Sequence, residues 1–131
     1  MKKIMVFGTF DALHPGHLNF FQQAKKLGGY LIVVVARDKT VKKVKRRLPH
    51  NSELDRRRLV SALRPVDSVL LGSPKSPMSL VKKIKPDIVC LGYDQRSFVP
   101  QLKTTFPKLR IVRLRSYKPR YYKSSKMRIK S

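Results

Sequence analysis

Tyr30-Leu31-Ile32-Val33-Val34-Val35-Ala36 is the stretch that most limits what this chain can become. An unbroken apolar run rich in β-branched residues has no polar face to turn to water. It therefore predicts a strand buried on both sides, as in the middle of a parallel sheet. Such a strand needs helices on both faces and neighbours joined by crossover connections. The preceding segment supplies one unit of that kind. Ile4-Met5-Val6-Phe7 is a short apolar run, and Gly8-Thr9-Phe10-Asp11-Ala12-Leu13-His14-Pro15-Gly16-His17 carries turn and helix-start residues. Leu18, Phe21, Ala24 and Leu27 then recur at helical spacing before Gly28-Gly29. The reading is strand, tight turn, helix from Gly16 to Leu27, strand.

The remainder repeats the alternation. Ser52-Glu53-Leu54-Asp55 resembles a capping box and opens a helix to about Leu63, with Leu59, Val60 and Leu63 as its apolar face. Val66 to Leu71 is a third strand. Gly72 to Pro77 is a loop, and Met78 to Ile84 a helix facing inward through Leu80, Val81 and Ile84. Asp87 to Leu91 is a fourth strand, and Leu109 to Leu114, alternating apolar with basic, a fifth at a sheet edge. The fold class expected is α/β: a Rossmann-like three-layer α/β/α sandwich with a five-stranded parallel sheet. A length of 131 residues suits one domain. No apolar run approaches a membrane span, and the N-terminus lacks the pattern of a signal peptide, so a cytoplasmic location is expected. The lone cysteine, Cys90, excludes an internal disulfide and a cysteine-based zinc cluster, and reads as a small core residue.

His14 and His17 stand three apart where the first helix begins, so their rings share a face. Pro15 has no N–H to leave unpaired in a first turn, and Gly16 permits close approach. Imidazoles beside backbone N–H groups at the positive end of a helix suit a phosphate that gains charge during reaction.

The charge is extreme, with 31 basic residues against 7 acidic and a formal net charge of +24. A nucleotide needs two to four well-placed cations, so the site does not account for the excess. Weak, salt-sensitive binding to nucleic acid is expected whatever else the chain does. Residues 37 to 47 hold seven basic side chains and a single acid, Asp38. The run reads as a loop at the carboxyl end of the second strand, where open parallel sheets bind ligands. Residues 116 to 131 are basic and hydroxyl-rich, interleaved with Tyr117, Tyr121 and Tyr122.

The Gly8-Thr9-Phe10-Asp11 string with His14-x-Gly16-His17 resembles the signature of the HxGH nucleotidyltransferases, the cytidylyltransferase-like superfamily. The likeness covers nearly the whole chain. Gly92-Tyr93-Asp94-Gln95 matches the second fingerprint in a form similar to the archaeal FAD synthases, the FMN adenylyltransferases. Val35-Ala36-Arg37-Asp38 and Lys85-Pro86-Asp87 point the same way. Ser124-Ser125-Lys126-Met127-Arg128 resembles the Ser-Ser/Thr-Thr-Lys-Ile-Arg element, with Lys123 where a small hydroxyl residue usually stands. The resemblance implies nucleotide binding by Gly8, Thr9, Phe10, His14, His17, Gly92, Tyr93, Asp94, Ser124, Ser125 and Lys126. It further implies catalysis through His14, His17 and Lys42, substrate-phosphate contacts from Lys42, Lys45 and Arg56, and a tail over 116–131 that closes across the site.

The activity so implied is transfer of AMP from ATP to FMN, giving FAD and pyrophosphate by direct in-line attack. No nucleophile paired with an orienting base is present, and an ionised phosphate monoester needs none. The resemblance implies a divalent cation, most simply Mg²⁺, bridging phosphates without a direct protein ligand. Asp11 either helps through water or bonds the amides next to it in the turn. The partners expected are a small-molecule nucleotide and a phosphate ester, with a homodimer left open and no membrane. A glycerol-3-phosphate cytidylyltransferase using CTP is the near alternative, although its usual Gly-Asp-Asp-Trp is absent. A nucleic-acid-binding module on a transferase fold is the distant one.

Overall fold

Strand β1 (Lys2–Gly8) is the middle strand of a five-stranded, all-parallel sheet of order β3-β2-β1-β4-β5. The computed structural model describes residues 1–73, 76–93 and 95–115. In chain order, β1 is followed by α1 (Pro15–Lys26), β2 (Gly29–Val35), α2 (Asp38–Lys45), α3 (Glu53–Ser61) and β3 (Ser68–Leu71). Then come α4 (Pro77–Ile84), β4 (Ile88–Leu91), α5 (Val99–Thr105) and β5 (Arg110–Arg113). Register aligns Gly8 with Val35 on one side of β1 and Met5 with Val89 on the other.

Strand alternation divides the core into two layers. Ile4 and Val6 join Leu31, Val33, Ile88 and Cys90 against Phe21 and Ala24 of α1 and Val60 of α3. Met5 and Phe7 join Ile32, Val34, Val89 and Leu91 against Met78 and Val81 of α4 and Val99 and Leu102 of α5. The sheet is thus covered on both faces, which is why β2 is apolar and buried from Leu31 to Val35. Each large side chain buried this way stabilises the fold by roughly 1.5–3 kcal/mol.

Several boundaries and two whole elements differ from the sequence reading. The run after β2 is not a loop throughout: Asp38–Lys45 is helical, anchored by Val41 and ended by Arg46 at φ 61. Helix α5 was not foreseen, although Val99 and Leu102, three apart, form its inward face. Helix α3 ends at Ser61, and Leu59 is 47% exposed rather than inward. Strand β4 starts at Ile88 because the Asp87 carboxylate accepts from Lys3 N at 2.8 Å, replacing the first ladder bond. Strand β3 starts at Ser68 for a related reason, since the Asp67 carboxylate accepts from Leu31 N at 2.7 Å. Asp94 and residues 116–131, with the tail expectations for Ser124, Ser125 and Lys126, lie outside the described residues.

Candidate active site

The sheet turns back on itself beside β1: the chain builds outward through β2 and β3, then returns to place β4 on the other side. Ligands of open parallel sheets bind outside the carboxyl ends of strands at such a point. There the β1–α1 connection carries Gly8, Thr9, Phe10, His14 and His17, and the end of β4 carries Gly92 and Tyr93. Lys42 and Lys45 are exposed on α2, which follows the neighbouring β2.

The connection is tightly wound. Phe10 and Ala12 take left-handed backbone conformations, φ 52 and φ 49, which side chains adopt at a cost of about 1–2 kcal/mol each. The Phe10 ring folds back over Gly8, where a Cβ would meet its Cζ at 2.6 Å. Phe10 is therefore a buried brace, 8% exposed, packed edge-on to His17 at a centroid distance of 5.9 Å. It props the histidine from behind.

His14 is the N-cap of α1, and its Nδ1 accepts from Gly16 N at 3.0 Å. His17 reaches back, its Nδ1 accepting from His14 N at 3.2 Å. The two rings lie 4.0 Å apart. Together they form a reciprocal capping box, with imidazoles in the places of the usual hydroxyl and carboxamide or carboxylate. His17 N and Leu18 N both donate to His14 O, and Pro15 has no N–H. The amides of the first turn are therefore engaged, contrary to the expectation that they would be open to phosphate.

The capping bonds fix the chemistry of the rings. A neutral imidazole that accepts at Nδ1 carries its proton at Nε2, so each ring is a donor at that nitrogen. Burial lowers the pKa of His14. Burial, then the neighbouring charge of His14, lowers that of His17 to about 4, against a smaller opposing pull from Asp11. Two neutral Nε2–H donors at the positive end of a helix are suited to phosphate oxygens.

A buried polar lattice holds this connection in place. Asp11, 3% exposed, accepts from His50 N at 2.6 Å and Asn51 N at 2.9 Å. Its carboxylate therefore ties the connection to a distant segment. Arg56 is 0% exposed, and its guanidinium donates to Thr9 O, Asn51 O and Asp38 Oδ1. That differs from the expected substrate-phosphate contact, because those donors are held by the protein's own acceptors. Glu53 accepts from Asp38 N and Arg37, Arg37 donates to Gly72 O, and Arg56 joins Asp38 to Thr9 O, so the carboxyl ends of β1, β2 and β3 are linked. Among the described residues no group of three or more His, Cys, Asp or Glu could hold a metal.

The site residues expected from the sequence leave out two on the β4 side, Gln95, quoted only as part of the fingerprint, and Arg113. Gln95 accepts from Gly92 N and donates to Phe7 O, each at 3.3 Å, bridging β4 to β1 across the switch point. Arg113 on β5 donates to Gly92 O at 2.8 Å and Gln95 O at 2.7 Å. Gln95 had a signal, its place directly after Gly92-Tyr93-Asp94. Arg113 had none, because an edge-strand arginine looks solvent-facing.

These features define a nucleotide-transfer class, and the family model described as cytidylyltransferase-like matches residues 5–130. The chain belongs to the cytidylyltransferase-like family. Within it, the chain is 52% identical over 95 residues to the FAD synthase of Ferroglobus placidus, a stretch covering 72% of this chain and 61% of that protein. It is 42% identical to the FAD synthase of Archaeoglobus profundus over 99% of this chain and 85% of the relative. A crystal structure of a lipopolysaccharide core biosynthesis protein from Thermoplasma volcanium superposes with a TM-score of 0.83 at 39% identity, covering 90% of this chain and 99% of that one.

Proposed function

We infer that the chain is an FMN adenylyltransferase, moving AMP from ATP to FMN to give FAD and pyrophosphate. The observation that carries the reading is the reciprocal cap, in which each imidazole accepts at Nδ1 and so keeps its proton at Nε2, at the helix end that follows the carboxyl edge of β1. The archaeal FAD synthases to which the chain is similar supply the substrates. The FMN phosphate oxygen forms a bond to the α-phosphorus as the bond to the bridging oxygen breaks, and the electron pair departs with pyrophosphate. His14 and His17 donate hydrogen bonds to oxygens that gain charge, without transferring a proton. Catalysis is positioning plus charge stabilisation.

ATP enters as its Mg²⁺ complex in this proposal, the cation held by phosphate oxygens. Lys42 and Lys45 steady the polyphosphate, Gly8 and Thr9 line the nucleotide, and Gly92, Tyr93 and Asp94 form the opposite lip. Phosphate contacts from Ser124, Ser125 and Lys126 of the 116–131 segment, which lies outside the described residues, belong to the same proposal, as does the chain working as one nucleotidyltransferase domain. The test is a product assay of the purified protein with ATP and FMN, and separately with CTP and glycerol 3-phosphate. FAD and pyrophosphate in the first arm alone are expected. CDP-glycerol in the second arm without FAD in the first overturns the reading.

A further inference from the structure

We propose that the face formed by α2 and α3 binds the phosphate backbone of duplex nucleic acid without reading its sequence. Between positions 37 and 64 nine lysine and arginine side chains are exposed, against Asp55 as the one exposed acid. Two other acids of this segment are turned inward. Asp38 is paired with buried Arg56 at 2.7 Å, and Glu53 holds Arg37 and Asp38 N. The same bonds join the start of α2 to the start of α3, so the exposed cations of the two helices share one region of surface. Elsewhere Asp11, Asp67 and Asp87 are engaged by backbone amides or Lys25. Among the described residues the fold thus engages every carboxylate named here except Asp55 with its own groups, and the outward charge of this face is strongly positive. A net charge of +24 works against the compact state by self-repulsion, and a polyanion relieves it.

The chemistry of the face selects the occupant. Helices of 8 and 9 residues span about 12–13 Å, over which a duplex presents about seven phosphate charges. Residues 37–64 contain no Phe, Tyr or Trp, so the face lacks both platforms for unstacked bases and the aromatic anchors of a membrane-surface helix. A second copy of this chain would bring like charges together. The five exposed arginines of the segment suit phosphate, whose oxygens their planar forks match.

The experiment is a fluorescence-anisotropy titration of the full chain with labelled 20-base-pair DNA and RNA duplexes of unrelated sequence. Binding to both is expected, with log K falling against log salt at a slope of about −4 or steeper. The fourfold variant Lys43→Gln, Arg47→Gln, Arg57→Gln, Arg58→Gln is expected to bind at least about tenfold more weakly at 100 mM salt and to flatten the slope by about 3–4. A control removing the same charge from the opposite layer and its connections, Lys82→Gln, Lys83→Gln, Lys103→Gln, Lys108→Gln, is expected to lose less than about threefold. Both variants should keep the parent melting temperature and rate of FAD formation, so loss of binding is separable from unfolding and from failure of the enzymatic reading. Equal weakening by the two variants, or unchanged binding by the first, overturns the proposal. Capture by phosphatidylglycerol vesicles with no binding to either duplex also overturns it.

Discussion

His14 and His17 cap each other across the first turn of α1, each accepting through Nδ1 from a backbone amide of the other's neighbourhood. The pair therefore does two jobs that ordinary substitution confounds, holding the helix start and aiming two Nε2–H groups. Glutamine at the third helical position can reach back to the N-cap amide as a histidine does here. His17→Gln is expected to keep the melting temperature within about 2 °C, since a preserved cap changes stability by well under 1 kcal/mol, yet to lose about 10²–10³ in kcat. His17→Ala should lose the same activity and about 1 kcal/mol of stability as well. Thermal melts and steady-state FAD formation on both variants check this.

Acid should weaken the fold through the same rings. The folded His17 ring has a pKa of about 4 against an ordinary 6.5, so between those values the unfolded chain binds more protons. The stabilising contribution is present in full above pH 6.5, is lost as pH falls toward 4, and does not decline further below that. His14, also lowered, acts in the same direction. Urea denaturation at intervals from pH 7.5 to 4, with NMR titration of the ring Cε1 protons, should give a His17 midpoint near 4 and falling midpoints of unfolding in that window.

Removing the Arg56 side chain would leave Asp38 half-buried without its guanidinium and free Thr9 O and Asn51 O together. Arg56→Ala is expected to cost about 3–5 kcal/mol, as breaking a buried ion pair does. Arg56→Lys should recover only a minority of that, because one ammonium cannot serve three separated acceptors in the geometry of a planar fork. Chemical denaturation of both variants measures the difference, and a double substitution with Asp38→Asn should be less than additive.

Gly8→Ala would drive a methyl into the Phe10 ring, whose Cζ lies 2.6 Å from the position of the new Cβ. Phe10 must then move, and with it the face that supports His17. A loss of about 1–3 kcal/mol is expected from this overpacking, accompanied by a lower kcat. Tolerance at parent stability and rate would remove the brace assigned to Phe10.

Cys90 should be chemically silent in the native state. It is 0% exposed, and burial pushes its thiol pKa up to about 12. Ellman's reagent is expected to leave it unmodified in buffer and to titrate one thiol per chain in guanidinium chloride.

The sheet and both helical layers were legible because apolar spacing is a local signal, strong in β2 and in Leu18, Phe21 and Ala24. Helix α2 was not, since a single buried residue, Val41, anchors a run dominated by exposed cations. The histidine pair was visible from its spacing, but its mutual capping was not, because that depends on ring rotamers. Arg56 shows the sharper limit. Its side chain reads as a surface cation among neighbours that are exposed, and its burial follows from acceptors on Thr9 and Asn51, distant or irregular in sequence. Asp11 likewise meets partners 39 and 40 residues away, a separation that no local pattern reports.

The strand order has a temporal consequence. Three of the five strands, β3, β2 and β1, can pair once residue 71 is in place, while the partner on the far side of β1 begins at Ile88. As the chain leaves the ribosome, a hydrophobic half-sheet exists before the crevice has its second wall. Met5 waits for Val89, 84 positions downstream, before the catalytic cleft can take shape. Nucleotide can therefore rescue only chains in which β4 has already joined β1, and a truncation before it yields a sticky fragment instead of a partly active enzyme.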